Sequence, residues 1–299
     1  MEAPRKHVGR WFVVAVPYLW LIVLFLVPFI IVFKISFSET RLAMPPYAPL
    51  LEWRDGAIVG IKLYLSNYHF LFTDKLYVSA LLYSLKVASV STLLCLLIGY
   101  PMAYAIARST TAWKNLLLML IVLPFWTSFL LRVYAWIGLL KSNGVINNVL
   151  LALGLIHTPL TLMQTDFAVF VGIVYSYLPF MILPLYANLE KHDATLLEAA
   201  ADLGARPWRA FLRVTLPLSV PGMMAGSLLV FIPAVGEYVI PSLLGRTDQL
   251  MIGRVLSDEF FANRDWPVAS AVAVLMLVLL VVPIVLFQRV QGRELEAST

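Results

Sequence analysis

One polar segment interrupts an otherwise apolar chain, and it reads EKHDATLLEAAADLGARPWRAFLRVTLP over residues 190–217. Thr195 and Glu198 have the spacing of a capping box, which predicts that a helix begins there. Gly204 follows the alanine-rich run and predicts a left-handed helix end. Pro207 suits the first turn of a second short helix. We therefore expect two short helices joined by a sharp turn, and we name this segment the elbow.

Outward from the elbow, the composition is that of an integral membrane protein. The chain is 61% apolar and 13% charged, whereas soluble domains are about one-quarter charged and under one-half apolar. This balance excludes a soluble enzyme, a disordered protein and a nucleic-acid-binding protein built on basic patches. Helices of about 20 apolar residues cross a bilayer. Six stretches qualify, and they predict an all-α protein with a single domain over residues 1–299: about 12–33, 79–107, 116–140, 167–189, 221–244 and 268–287.

The orientation follows from the basic residues. The first apolar stretch is too long for a signal peptide and lacks a small-residue cleavage site, so we expect a retained helix. With the N-terminus inside, the inner segments hold 11 basic and 7 acidic residues, and the outer segments hold 9 of each. Basic residues favour the cytoplasmic side. Both termini and the elbow are therefore predicted to be cytoplasmic.

Within the elbow, Glu198-Ala199-Ala200 precedes Gly204, and Leu216-Pro217 follows, with Val214 two residues before Leu216. This pattern resembles the EAA loop of bacterial ABC importer permeases, in which isoleucine is commoner at the position of Val214. In that family the loop docks into a groove on the ATP-hydrolysing subunit. The alternative is an interfacial amphipathic hairpin without a partner. The resemblance implies that the ATPase-coupling residues are Glu198, Ala199, Ala200, Gly204, Leu216 and Pro217.

Further motifs lie between residues 11 and 289: Pro17–Trp20, Leu97–Pro101, Leu123–Ser128, Arg132–Trp136, Asn143-Gly144, Phe231–Tyr238 and Asn263–Pro267. Together they resemble the membrane permease subunit of bacterial polyamine ABC importers of the putrescine type. The resemblance implies the MetI-like permease fold and alternating-access transport across the bacterial inner membrane. It also implies a second permease subunit, two copies of a cytosolic ATPase subunit and a periplasmic polyamine-binding protein. The binding protein would dock on the side of segments 34–78 and 250–262.

Nothing in the chain predicts catalysis, a bound cofactor or a metal site. A Walker motif needs a glycine-lysine pair, and none occurs, so ATP and Mg²⁺ are expected to act on the partner ATPase. The four histidines lack metal-ligand spacing, and Cys95 is the single cysteine. The alternatives are a permease for spermidine or another small organic solute, an ion-gradient-driven secondary carrier, and an intramembrane hydrolase. A carrier needs carboxylates within the membrane, where only Glu237 is available, and a hydrolase needs a catalytic pair that the spans lack.

Three ionisable residues, Lys86, Arg132 and Glu237, lie inside the predicted spans. A charge at a helix centre costs about 2.5–3.5 kcal/mol on insertion scales, so each should face protein or water. A rise of about 1.5 Å per residue places Arg132 and Glu237 at matching depth, about 24 Å above the inner surface. Two compatible roles stay open for Glu237: an ion pair with Arg132 or Lys86, and contact with a cationic substrate.

Prolines and aromatic residues extend a predicted substrate pathway around Glu237. Pro179 and Pro184 are expected to interrupt the fourth span, and Pro221, Pro233 and Pro241 to bracket and break the fifth. Broken helices line central sites in transporters. The face of an aromatic ring attracts a cation by roughly 0.5–2 kcal/mol. The candidate pathway residues are Glu237, Tyr238, Trp136, Tyr134, Tyr175, Tyr177 and Phe231.

Overall fold

A computed structural model of the chain describes residues 7–54 and 57–297, which form fifteen α-helices and one pair of short strands. Arg5 and Lys6, which contribute to the predicted orientation, lie outside the described residues. Contacts within the chain divide it into two compact units. The first is Met1–Val78 with Leu256–Leu279, and the second is Ser79–Val255 with Leu280–Thr299.

The first unit begins with an apolar helical rod. α1 is His7–Leu21, a π-helical turn covers Ile22–Leu26, and α2 is Val27–Ser36. Residues Val13–Ser36 are long and apolar enough to span a membrane, in agreement with the first predicted span. The most apolar part of the rod buries no residue inside the chain. Its apolar surface is therefore left for lipid or for a partner protein.

A hairpin and a short helix follow in the outer segment: β1 is Leu51–Arg54, β2 is Ala57–Ile61 and α3 is Ser66–Thr73. The strands pair antiparallel with one irregularity in register. Asn67 of α3 donates from Nδ2 to the carbonyls of Ser36 and Ser38 at 3.0 and 2.9 Å, which ties this helix to the end of α2. The hairpin was not predicted from the sequence.

The remaining helices are α4 Lys75–Arg108, α5 Thr111–Val122, α6 Phe129–Leu140, α7 Val145–Ala152, α8 Asp166–Leu189, α9 Thr195–Asp202, α10 Pro207–Ala210, α11 Leu216–Leu218, α12 Val220–Val235, α13 Val239–Leu244, α14 Ile252–Ser257 and α15 Trp266–Ala297. A 3₁₀ turn covers Leu123–Trp126, and π-helical turns cover Phe211–Thr215 and Asp258–Ala262. The core of the second unit lies where α4, α8 and α12 meet, and it includes Cys95, Tyr100, Met181, Leu185 and Val230.

The predicted membrane architecture is confirmed at the level of helix length and composition. Within the described residues, four unbroken helical stretches could cross a membrane: Val13–Ser36, Lys75–Arg108, Asp166–Leu189 and Trp266–Val285. Two bent pairs meet the same criteria when each is taken together, namely Thr111–Trp126 with Phe129–Ala152 and Pro207–Leu218 with Val220–Val235. Counting each bent pair as one span gives six.

The third predicted span, residues 116–140, is not a straight helix. Thr127 and Ser128 adopt extended backbone between the 3₁₀ turn and α6, and the helix axis turns by 93° there. Pro124 within the turn lacks the amide that a continuing helix would need. A straight helical rise cannot be carried across this bend, so the straight third span that the predicted depth of Arg132 assumed was wrong.

The prolines act differently in the fourth and fifth spans. α8 runs from Asp166 to Leu189 through both Pro179 and Pro184, so the predicted interruption of the fourth span was wrong. The fifth span is broken as predicted, because α12 ends at Val235 and α13 begins at Val239. Close packing of α8 on α12 supports α8 along its length, and surrounding helices can compensate for amides that prolines remove.

The backbones of α8 and α12 approach closely at Gly226. A Cβ atom added at Gly226 would lie 2.8 Å from Met181 Sδ and 3.0 Å from the Met181 carbonyl oxygen. Gly222, one turn earlier, faces Asn188 at a similar distance. Small residues four apart allow this approach between membrane helices. The pair fixes the position of the fifth span on the fourth.

Candidate coupling surface and transport pathway

The first helix of the elbow begins at Thr195, but the capping box does not form. No side chain caps α9 from Ala194, the residue before it. The Asp193 carboxylate instead accepts a hydrogen bond from the Thr195 N–H at 3.0 Å. The Glu198 side chain is exposed. The predicted Thr195–Glu198 capping box was therefore wrong, because a carboxylate two residues upstream of Thr195 takes its amide.

The sharp turn at Gly204 is confirmed. Gly204 has φ of +78°, a left-handed conformation that costs glycine nothing sterically. The N–H groups of Gly204 and Ala205 donate to the carbonyls of Ala201 and Ala200 at 2.8 and 2.9 Å, which closes the end of α9. Pro207 then opens α10 in its first turn. The elbow is thus a defined backbone structure and not a flexible loop.

The elbow presents an apolar surface that the chain itself leaves uncovered. None of the residues of α9 is buried; Glu198 and Ala199 are exposed and Ala200 is half-buried. Leu203, just before the turn, is 89% exposed, and Trp208, just after it, is 65% exposed. Large exposed apolar side chains on a rigid segment mark an interaction surface. This surface is suited to a protein partner.

The second half of the elbow is anchored to α4 by aromatic contacts. The Phe211 ring lies edge-on to the rings of Tyr100 and Tyr104, with centroid distances of 5.8 and 5.6 Å. The hydroxyl groups of Tyr100 and Ser219 are hydrogen-bonded at 2.9 Å. Leu216 packs partly against the core and Pro217 is exposed. Of the predicted coupling residues, Leu216 is therefore an anchor and the others lie on the accessible side.

Polar contacts tie the start of the elbow to its surroundings. Lys114 Nζ of α5 lies 2.7 Å from Glu190 Oε1. The hydrogen bond from Lys114 is the largest influence that lowers the pKa of Glu190 below its ordinary value. His192 Nε2 lies 3.2 Å from the Leu218 carbonyl oxygen, which brings the two ends of the elbow together. Motion of the elbow would therefore act on α4, α5 and α8 at once.

Glu237 lies at the break in the fifth span, and both oxygens of its carboxylate accept hydrogen bonds. Its Oε1 accepts hydrogen bonds from the N–H groups of Tyr238, Val239 and Ile240 at 3.2, 3.0 and 3.3 Å. Its Oε2 accepts a hydrogen bond from the Tyr177 hydroxyl of α8. The side chain is buried, with 7% of the residue exposed. The carboxylate thus compensates the amides freed at the start of α13.

Arg132 does not pair with Glu237 in this structure. The Arg132 Cζ lies 5.5 Å from the centroid of the Phe125 ring, and its Nε is buried without a hydrogen-bond partner among the described residues. The ion pair was expected from depths calculated on straight helices, and the third span is bent at residues 127–128. The Phe125 ring in turn contacts the Phe180 ring, and the Phe180 ring contacts that of Tyr177, the residue that binds Glu237.

Lys86 does not pair with Glu237 either, because it has a different partner. Its Nζ lies 3.3 Å from Asp166 Oδ2. Asp166 Oδ1 accepts a hydrogen bond from the Tyr83 hydroxyl at 3.0 Å. Asp166 was not among the predicted site residues, because the predicted fourth span begins one residue later. An aspartate beside Thr165 at the start of a long apolar stretch is a helix-start signal that could have identified it.

The predicted aromatic residues fall into separate groups. Trp136 and Tyr175 form an edge-on pair with centroids 5.5 Å apart, and Tyr177 binds Glu237. Phe231 lies elsewhere, in an apolar crevice of about 590 Å³ between α4 and α12. Tyr134 and Tyr238 are 55% and 43% exposed. The structure therefore brings together Tyr177 with Glu237 and Trp136 with Tyr175, and it does not join all seven residues in one site.

The first unit contains a cleft that the sequence analysis did not identify. Its volume is about 740 Å³, and it lies between residues 40–46 and residues 260–266. The rings of Phe260 and Trp266 are stacked with centroids 5.2 Å apart on one side. Arg41 and Arg264 also line it, and both are exposed. The cleft is therefore aromatic and basic, a combination suited to an acidic protein surface.

Residues 95–296 match the family model described as the inner membrane component of binding-protein-dependent transport systems. This chain belongs to that family. It is a permease subunit of an ABC importer in the inner membrane, and it is a transport component and not an enzyme. The matched range contains the elbow, α8 and the broken fifth span, and the predicted family is confirmed.

Two curated relatives and one solved structure extend the comparison. The chain is 40% identical over 277 residues to the spermidine/putrescine transport system permease protein PotB of Haemophilus influenzae, covering 92% of each chain. It is 41% identical over 235 residues to the protein of the same name from Escherichia coli K12, covering 79% of this chain and 85% of the relative. A bacterial alginate ABC transporter in complex with an alginate pentasaccharide-bound periplasmic protein matches 98% of both chains with a TM-score of 0.70 and 17% identity. That structural likeness confirms the fold alone.

Proposed function

We propose that this chain translocates a polyamine, with putrescine as the first candidate, across the bacterial inner membrane. The observation that carries the proposal is the 40% identity over 92% of the chain to a spermidine/putrescine permease. Because the name of this relative includes spermidine as well as putrescine, the same identity supports spermidine as the second candidate. The alginate transporter has the same fold and a different solute, so the fold itself gives no support to either substrate.

The proposed assembly has two permease subunits, two copies of an ATPase subunit and a periplasmic polyamine-binding protein. The elbow supports the ATPase partner, because its exposed Leu203 and Trp208 flank a rigid turn. The proposed orientation places the elbow and both termini in the cytoplasm, where ATP is available. This chain binds no cofactor in the proposal; ATP and Mg²⁺ belong to the ATPase. Closure of the ATPase dimer would move the elbow and reorient the helices attached to it.

The outer cleft is the proposed contact for the binding protein. Arg41 and Arg264 give it positive charge, and Phe260 and Trp266 give it an apolar wall. An acidic, partly apolar surface on the binding protein would complement both. Arg41→Glu reverses one of these charges without altering a buried residue. We expect it to weaken stimulation of ATPase activity by the binding protein, and unchanged stimulation would exclude this contact.

Glu237 is proposed to stabilise the break in the fifth span and to contact a cationic substrate, the second of the two roles that the sequence left open. In this conformation it stabilises the break in the fifth span, which supports a structural role. Movement of Tyr177 would free Oε2 for the ammonium group of a passing substrate. Glu237→Gln retains an oxygen for the three backbone amides and removes the charge. Loss of uptake with normal assembly would support the pathway role, whereas normal uptake would eliminate it.

The function as a whole is tested by co-expression with the neighbouring genes and reconstitution in nanodiscs. ATPase activity is measured with the binding protein empty, loaded with putrescine, or loaded with spermidine. Stimulation by a loaded form, with uptake of the same solute in vesicles, is the expected result and ranks the two substrates. A complex that assembles and responds to neither polyamine would refute the polyamine assignment and leave the family assignment intact.

A further inference from the structure

An ion pair outside the candidate pathway has the composition of a site for alkylammonium groups. The two oxygens of Asp166 contact different partners: Oδ1 accepts from the Tyr83 hydroxyl at 3.0 Å, and Oδ2 lies 3.3 Å from Lys86 Nζ. The same Nζ lies 5.9 Å from the centroid of the Tyr83 ring. One ammonium group is therefore bound by a carboxylate and an aromatic ring. These are the two kinds of group that attract such cations most directly.

The cation in this site is held weakly and is open to solvent. Its distance to the carboxylate, 3.3 Å, exceeds the 2.7 Å of the Lys114–Glu190 pair. The Lys86 side chain is 59% exposed and that of Asp166 is 31% exposed. Exposed ion pairs contribute little free energy, and a lysine has a flexible four-carbon stem. Lys86 can therefore leave Asp166 at little cost.

A second ion pair, Arg246–Asp248, lies near the site that Lys86 would vacate. Arg246 and Asp248 lie close enough to act electrostatically on Tyr83. They form their own two-point ion pair, with nitrogen–oxygen distances of 2.8 and 2.5 Å. Arg246 also interacts electrostatically with Asp166, but its guanidinium is bound by both carboxylate oxygens of Asp248. The vacated site would be a single carboxylate with an adjoining ring.

We propose that Asp166 and Tyr83 form a binding site for the primary ammonium end of a polyamine, which Lys86 occupies in its absence. A lysine side chain is an alkylammonium group on four carbons, so it presents the same chemical group as one end of putrescine. An arriving polyamine exchanges with Lys86 at Asp166, and the released Lys86 turns toward solvent. The identity of the ligand class rests on the proposed function. The site itself rests on the three side chains.

The test is direct binding of radiolabelled putrescine to the purified complex in nanodiscs, without binding protein, by equilibrium dialysis. Lys86→Gln removes the internal competitor, and we expect it to tighten binding about 1.4-fold to fivefold, since exposed pairs of this kind contribute about 0.2–1 kcal/mol. Asp166→Asn is expected to weaken binding about fivefold or more, whether or not Lys86 is also changed. Lys141→Gln removes an exposed positive charge outside the site and is the control.

A merely structural ion pair gives a different pattern. Each single variant would then lower the thermal stability of the complex, the double variant would lower it little further, and putrescine binding would not change. That pattern, or equal tightening by Lys86→Gln and Lys141→Gln, would overturn the proposal. Failure of the site is separable from failure of the proposed function, because the latter appears in the unmodified complex as absence of stimulation by polyamine-loaded binding protein.

Discussion

Replacement of Gly204 should uncouple ATP hydrolysis from transport in proportion to the backbone strain that it introduces. The residue has φ of +78°, and a Cβ atom added there would meet no atom within 4 Å. Neighbouring side chains therefore impose no cost, and only the backbone conformation does. A left-handed conformation costs an ordinary residue about 1–2 kcal/mol, which changes an equilibrium roughly fivefold to thirtyfold. Asparagine tolerates this conformation better, and a β-branched residue tolerates it least.

The expected order of coupling is therefore glycine, asparagine, alanine and valine at position 204. The assay measures polyamine taken up per ATP hydrolysed in vesicles that contain the whole complex, together with the amount of ATPase subunit that co-purifies. Gly154 provides a matched control, because it has φ of +70° and also has no atom within 4 Å of an added Cβ. Gly154→Val introduces similar strain far along the chain from the elbow. Full coupling in Gly204→Val, or equal loss in Gly204→Val and Gly154→Val, would refute the argument.

Two further variants test the packing and the polar anchor. Gly226→Val forces atoms against Met181 and should cost about 1–3 kcal/mol of stability through overpacking, measured as a lower unfolding temperature in detergent. Gly138→Val should leave the unfolding temperature unchanged, because an added Cβ there meets none of the described atoms within 4 Å. An equal decrease in both variants would contradict overpacking as the cause. Lys114→Met should destabilise the elbow by about 0.2–1 kcal/mol near neutral pH. Because the folded protein lowers the pKa of Glu190, this contribution is fully present above the ordinary value of 4.5 and is lost as pH falls through the lower, folded pKa. The unfolding temperatures of Lys114→Met and the unmodified protein should therefore converge in acid, and a constant difference down to pH 3 would exclude the ion pair as its source.

Local signals in the sequence predicted the elbow well because its conformation depends on few residues. Gly204 and Pro207 determine their own backbone conformations, and the structure has both where they were expected. The capping box failed because two acidic residues, Asp193 and Glu198, could serve the start of α9, and spacing alone does not decide between them. The choice depends on the exact first turn, which is the least predictable part of a helix.

The charge network was not predictable because it depends on geometry beyond one helix. The predicted depth of Arg132 assumed a straight third span, and the extended residues Thr127 and Ser128 turn the axis by 93°. The expected partners of Glu237 were side-chain cations, since a buried carboxylate usually needs one. In the structure, three backbone amides and the Tyr177 hydroxyl serve instead. A count of charged side chains does not reveal the backbone amides that a helix break leaves without helical partners.

The same two helices connect the elbow to the break in the fifth span. α8 bears Tyr177, which bonds Glu237, and it ends at Leu189 where the elbow begins. The chain returns from the elbow into α12, which ends just before Glu237. Sliding of α12 along α8 would drive the Met181 side chain or carbonyl against the backbone at Gly226, so displacement of the elbow should move both helices as one body. The backbone would then bend at Gly236–Tyr238, where the helix is already interrupted. The Glu237 carboxylate holds this interruption, so its hydrogen bond with the Tyr177 hydroxyl is the first contact that must change.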